Sequence, residues 1–186
     1  MDLIALLKTI TPIAPDTEVE VRKLFSIEEL TKGHKLHQQG YVCNKFFFVE
    51  KGLLRTFYYS EEGKDITYRF NDEMTFTSLI DSYYSQKPSF YNIELLEDST
   101  IHSASFAEFE KLLDQHTELL VVYNYVLRNF LIQSNERISA LQFQNAQERY
   151  HTFIEKKPNI LQRVSLGQIA SYLGISQETL SRIRGK

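Results

Sequence analysis

Apolar residues open the chain in a helical rhythm, with Leu3, Ile4, Leu6, Leu7 and Ile10 sharing one stripe. Residues 12–16 break it, and the chain restarts as a second short helix with a capping candidate at Asp16. From about 26 to 105 the rhythm becomes a set of short aromatic and β-branched runs at 46–49, 53–59, 65–70, 93–95 and 100–105. Turn residues Gly33, Gly40, Gly52 and Gly63 separate them. Strands at this spacing predict a compact antiparallel roll or barrel. The segments Glu50-Lys51-Gly52 and 60–65 (SEEGKD) read as hairpin turns, glycine supplying the positive φ of a tight reversal.

A third pattern starts near Phe106. Phe109, Leu112 and Leu113 make a short amphipathic helix, and residues 117–144 then contain neither Pro nor Gly. They predict one helix about 40 Å long. Along it Leu120, Leu127, Ser134 and Leu141 recur every seven residues, with Asn124, Leu131 and Ile138 four later in each repeat. Such a seam suits a coiled-coil dimer, its polar Asn124 and Ser134 fixing register, or else packs on the strand domain.

Residues 165–186 (SLGQIASYLGISQETLSRIRGK) carry the most specific signal. Ser165 caps a helix with the apolar stripe Leu166, Ile169, Ala170 and Leu173; Gly174 takes a left-handed turn and Ile175 plugs it. Ser176 caps a second helix that buries Leu180 and Ile183. Two short helices joined by a glycine turn form a helix-turn-helix, or an ordinary structural hairpin. Gln177, Glu178, Ser181 and Arg182 fall on the face opposite Leu180, and their chemistry suits base edges. Ser176 and Thr179, at the helix N-terminus, suit a phosphate. Upstream, Tyr150, Phe153 and Ile154 make a packing stripe and Pro158 a stop. Lys156, Lys157 and Arg163 are candidate phosphate contacts, or simply a solvated helix end.

The 186 residues fit one large domain or two small ones. Charge is divided unevenly: residues 1–145 hold 14 Lys/Arg against 21 Asp/Glu, and residues 146–186 hold 7 against 3. A basic C-terminal module thus hangs on an acidic body, which reconciles a net charge of -3 with nucleic acid as a partner. The single cysteine, Cys43, excludes an intrachain disulfide and a four-thiolate metal or iron-sulfur site. Acidic Asp2 argues against a secretory leader, and no run approaches the roughly 18 apolar residues of a membrane span, so a cytoplasmic location without membrane contact is expected.

Over its whole length the chain resembles the Crp/Fnr superfamily of bacterial transcription regulators, and within it the short-chain members of Bacteroidetes. The stretches FFFVEKGLLRTFYYSEEGKDITYRF and ERYHTFIEKKPNILQRVSLGQIASYLGISQETLSRI carry the likeness. It implies an α+β chain in three parts: a double-stranded β-helix (jelly-roll) domain of cyclic-nucleotide-binding type over 1–115, a dimerisation helix over 116–145, and a DNA-binding module over 146–186. It also implies a homodimer on double-stranded DNA, with base contact by Gln177, Glu178 and Arg182, and an output through RNA polymerase.

The departures from the family are informative. Its cyclic nucleotide sensors carry a Gly-Glu pair for the ribose and an Arg for the phosphate, whereas residues 76–94 (FTSLIDSYYSQKPSFYNIE) place Ser78-Leu79 and Pro88-Ser89-Phe90-Tyr91 there. A buried phosphate without a cation costs several kcal/mol, so cyclic AMP is not expected to bind in the family's manner. An unknown small-molecule effector would have Arg69, Ser78, Ser82 and Tyr91 as its weak candidates. No cofactor and no metal is expected: His34, His37, His102, His116 and His151 read as ordinary histidines, and His34 and His37 point to opposite faces of a strand. Catalysis of the double-stranded β-helix type lacks its clustered ligands, since 46–105 contains only His102. The family's recognition helix is commonly followed by a β-hairpin wing, and here the sequence stops at Lys186, which implies a helix-turn-helix without a complete wing. The competing reading is a small-molecule sensor or interaction module whose helix-turn-helix no longer reads DNA.

Overall fold

The computed structural model describes residues 2–185. Helix α1 (Leu3–Ile10) starts at Asp2, whose carboxylate accepts the Ala5 N–H at 2.8 Å. Helix α2 (Pro15–Leu24) is capped by Ala14 and not in the Asp16 region; Pro15 opens it because its fixed φ already suits a first turn. Asp16 stands in that first turn, where its charge favours the helix dipole.

Eight strands follow: β1 (Ser26–Leu30), β2 (Lys35–His37), β3 (Lys45–Lys51), β4 (Leu54–Tyr59), β5 (Asp65–Asn71), β6 (Thr75–Thr77), β7 (Asn92–Leu95) and β8 (Ser99–Ser105). They form two antiparallel four-stranded sheets, ordered β1-β8-β3-β6 and β2-β7-β4-β5, with helix α3 (Ile80–Ser85) between β6 and β7. Successive residues of β3 point to opposite faces. Phe47 and Val49 join Leu54, Ile93, Leu95 and Ile101 between the sheets, while Phe46 and Phe48 pack outward on α1 and on the helices that follow the roll. Both faces are covered, which is why the strand reads as an unbroken apolar run.

The two expected hairpins resolve differently. Residues 60–65 do close one, since β4 and β5 pair antiparallel, with one register shift at Thr56/Phe57, and Ser60 N–H donates to the Lys64 carbonyl at 2.9 Å. Residues 50–52 do not: β3 and β4 belong to different sheets, and the segment is a crossover. Gly52 makes it feasible, with φ at +108° and a backbone so close to Ser99 that a Cβ would lie 2.0 Å from its Oγ.

Helix α4 (Phe106–Gln115) covers the outer sheet and leads into α5 (Thr117–Phe143), the single 27-residue helix that the missing Pro and Gly predict. Among the described residues no helix is long and apolar enough to cross a membrane. After Gln144 the chain turns into α6 (Ala146–Lys156), begun by a capping box of Asn145 and Glu148 and ended before Pro158. A 3-10 turn (Ile160–Gln162), α7 (Leu166–Leu173) and α8 (Gln177–Arg184) complete it. These elements share a core with the roll: Phe153, Ile160, Ile169, Leu173 and Leu180 bury themselves together with Leu53, Phe70 and Leu96. At about 1.5–3 kcal/mol per fully buried large side chain, this cluster fixes the C-terminal elements against β5.

Candidate nucleic-acid interface and ligand cavity

Every expected punctuation of the C-terminal motif is present. Ser165 caps α7 in a reciprocal box with Gln168, at 3.2 and 3.0 Å. Gly174 ends it in the left-handed region at φ +67°, and the Ile175 N–H returns to the Ala170 carbonyl at 3.0 Å. Ser176 caps α8 by accepting the Thr179 N–H at 3.2 Å. Leu180 is fully buried, while Ile183 is only half-buried. On the other side of α8, Gln177, Glu178, Ser181 and Arg182 are all exposed. Gly167 leaves room for Gln177, since a Cβ there would meet its Nε2 at 2.7 Å. A hydrogen bond from Ser176 holds the exposed Glu178 carboxyl below its ordinary pKa. Thr179 is half-buried, and its hydroxyl accepts from Arg182 at 3.3 Å, so Ser176 and Thr179 serve the helix start itself.

The three candidate phosphate cations, Lys156, Lys157 and Arg163, each pair with carboxylates of the same chain. Arg163 donates to Glu73 at 2.7 and 3.0 Å and to Glu97 at 2.6 and 3.2 Å. Lys157 pairs with Asp72 at 2.6 Å, and Lys156 with Glu136 at 2.7 Å. The hydrogen bonds it donates to Glu97 and Glu73 push the Arg163 pKa further above its already high value. Burial works against the Glu73 carboxylate, but donation from Arg163 and from the Gly52 N–H outweighs it and holds its pKa low. Part of the charge asymmetry is therefore complementarity between the basic module and the acidic roll.

On α5 the seam divides. Leu120, Asn124, Leu131, Ile138 and Leu141 are exposed, Leu131 at 62%, and Val121, Tyr125 and Ile132 widen the apolar face beside them. Leu127 and Ser134 are half-buried and, with one side of Leu131, line the edge of the helix that faces the roll.

There a cavity of about 400 Å³ lies between the roll and α5, and Arg69, Ser78 and Tyr91 line it with Tyr68, Phe130 and Ser134. Arg69 donates to the Ser134 Oγ at 3.2 Å and lies 4.7 Å from the Phe130 ring centroid. Burial lowers its pKa from the ordinary arginine value. Tyr91 stacks on Phe90 at 4.3 Å, and burial pushes its pKa up to about 12. Ser82 is the exception among the four candidates: it is the buried residue of α3, donates to the Lys87 carbonyl at 2.7 Å and accepts the Cys43 N–H at 3.2 Å. Its hydroxyl closes a loop and does not face the cavity. Among the described residues Arg69 is the one cation lining this cavity, and it comes from β5, not from the loop after α3. No group of three or more metal-ligating side chains is found among the described residues.

Two arginines escaped the sequence reading. Arg137 donates to the Tyr172 carbonyl on α7 at 2.9 Å, and Arg149 to those of Leu173 and Gln144 at 2.9 and 2.6 Å. Arg137 ties α5 itself to α7, and Arg149 ties the turn after α5 to α7. The signal available was two cations flanking the predicted end of a long helix.

With this geometry in hand, comparison with known proteins places the roll. Residues 27–116 match the cyclic nucleotide-binding domain family. The class is thus a cyclic-nucleotide-binding-type β-roll followed by a long helix and C-terminal helices. Across most of its length the chain is similar to an anaerobic regulatory protein of Pasteurella multocida (strain Pm70), 26% identical over 91% of this chain and 67% of that one. It is also similar to electron transport regulator A of Shewanella oneidensis, 23% identical over 84% of this chain and 66% of that one. The chain therefore spans about two thirds of the length of these relatives. The fold is that of FixK2 from Bradyrhizobium japonicum, with a TM-score of 0.75 at 17% identity, covering 87% of this chain and 83% of that one.

Proposed function

We propose that this protein is a homodimeric, sequence-specific DNA-binding transcription regulator of Crp/Fnr type, whose β-roll senses a small molecule other than cyclic AMP held in the family's manner. The observation that carries the reading is the doubly capped α7–α8 unit, which buries Leu180 and leaves Gln177, Glu178, Ser181 and Arg182 exposed on one polar face. An amide and a carboxylate on the adjacent Gln177 and Glu178, with the Arg182 guanidinium one turn later, match adenine, cytosine and guanine edges. The apolar face of α5 supports the dimer, and two recognition helices about 34 Å apart would meet successive major grooves of a two-fold-symmetric operator. The effector would act by shifting how the long helices and the C-terminal module pack.

Selection of genomic duplex fragments by the purified protein, followed by titration of the best fragment against random DNA, tests this. The expected result is nanomolar, salt-dependent binding to a near-palindrome, with Arg182→Ala losing about 1–3 kcal/mol on that site and far less on random DNA. Equal losses on both would remove Arg182 from base readout, and weak, sequence-blind binding by the wild type would overturn the regulator reading.

A further inference from the structure

We propose that the cleft between β5 and α5 binds a small planar organic oxyanion, an aromatic body carrying a carboxylate or phosphate, with Arg69 and Arg137 as its paired anion-binding groups. This deepens the sensor reading of the roll by assigning its ligand class.

Both guanidinium groups gather on one ring: their central carbons lie 5.6 and 5.7 Å from the Tyr68 centroid. Each also lies over a second ring, Arg69 over Phe130 at 4.7 Å and Arg137 over Tyr172 at 4.3 Å. A guanidinium offers five donors, and the chain takes up few of them: Arg69 donates to Ser134 and meets the Tyr68 hydroxyl, and Arg137 donates to the Tyr172 carbonyl. Other packed cations of the molecule have carboxylates: Arg55 has Asp65 and Glu94, Arg163 has Glu73 and Glu97, Lys157 has Asp72. Among the described residues Arg69 and Arg137 have no such ion pair, and the charged group facing Arg69 is Arg137 itself. Two like charges close together at a partly buried site raise each other's energy, and an anion between them relieves it.

The space fits the charge. Tyr68 and Arg69 line both the 400 Å³ cavity, whose wall also holds Asp81, and a cleft of about 810 Å³ bounded by α5, α6 and α7, where Arg137 and Glu136 join them. This is the size range of sites for small organic ligands. Tyr68, Tyr91, Phe130 and Tyr172 give it faces on which a planar body stacks, while the arginine forks match a carboxylate or phosphate in two-point geometry. The anion-binding groups thus come from β5 and α5, while residues 77–81 and Tyr91 supply part of the wall of the cavity that Arg69 lines. Arg137 also holds α7 through the Tyr172 carbonyl, so an anion that recruits it alters the contact between the long helix and the C-terminal module.

Calorimetric titration of the full chain with phenyl phosphate and with 4-hydroxybenzoate, against neutral phenol, tests the site without any DNA. Success or failure here is therefore read separately from the operator selection. The expected result is saturable binding of at least one of the two anions, about tenfold or more tighter than phenol. Arg69→Gln and Arg137→Gln should each weaken it about tenfold, and Lys111→Gln, on the exposed side of α4, should leave it unchanged. Should either glutamine variant melt early, Arg69→Lys keeps the charge while losing the two-point fork, and intermediate affinity is expected. No saturable binding of either anion, or binding that survives loss of both arginines, overturns the proposal.

Discussion

Replacing Arg163 with Met keeps the aliphatic stem that packs under the module and removes only the fork. In the native protein that fork makes four hydrogen bonds to two carboxylates, and its side chain is 23% exposed against 38% and 35% for Glu73 and Glu97. Fully desolvated charge-assisted bonds contribute about 1.5–3 kcal/mol each, and exposed ion pairs about 0–1. With roughly a third of each carboxylate in water, we assign about 1 kcal/mol to each arginine–carboxylate pair, hence about 2 kcal/mol for Arg163→Met. Glu73 still accepts the Gly52 N–H, so the loss does not strand it. The assay is urea unfolding at low salt with a double-mutant cycle, Arg163→Met against Glu97→Gln, where a coupling of about 1 kcal/mol is expected. Repeating it in about 1 M salt should shrink that coupling. A variant within about 0.5 kcal/mol of wild type, or a coupling near zero, would refute the reasoning that these pairs fasten the module to the roll.

Leu180→Ala should cost about 2–5 kcal/mol in a thermal or urea melt, because the side chain is fully buried in the core that α8 shares with the roll. Leu131→Glu on the exposed face of α5 should convert a dimer to monomer in sedimentation while changing monomer stability by less than about 0.5 kcal/mol; a persistent dimer would move the interface elsewhere. Burial lowers the His37 pKa from its ordinary 6.5, and its Nε2 has no hydrogen-bond partner. The neutral ring is favoured when folded, so this contribution to stability is complete above pH 6.5 and is lost as the pH falls through the lower, folded-state value. Urea midpoints measured across that range should show the loss, and His37→Phe should flatten it.

How much of this was legible in the sequence depends on the range of each interaction. The caps at Ser165 and Ser176 and the turn at Gly174 act within a few residues, and all three stand where the local pattern put them. The run 46–49 was legible as a strand for the same reason. Strand β1 was not, since SIEEL lies at a sheet edge with mostly exposed side chains and lacks alternation. Gly52 announced a reversal, but turn chemistry says nothing about which sheet the next strand joins, and the hairpin proved to be a crossover. Ser78 and Ser82 stand four residues apart in the sequence and read as equivalent; folding puts Ser78 ahead of α3 with its hydroxyl on the Lys45 carbonyl, and Ser82 on α3 between Lys87 and Cys43. For Arg163 the charge was readable and the partner was not, because Glu73 and Glu97 lie far away in sequence and meet it only after folding.

Those ion pairs set a limit on how duplex DNA and the roll can share the C-terminal module. A cation already matched to a carboxylate has little charge left for a phosphate, and DNA that claims it must first displace Asp72, Glu73 or Glu97. On the proposed DNA-binding reading, contact through Lys157 and Arg163 would exchange one polyanion for another and shed fewer counterions per contact than a free lysine or arginine would release. The roll's acidic rim would then stand in for the nucleic acid backbone, and an event that lifts the module from it would free two cations.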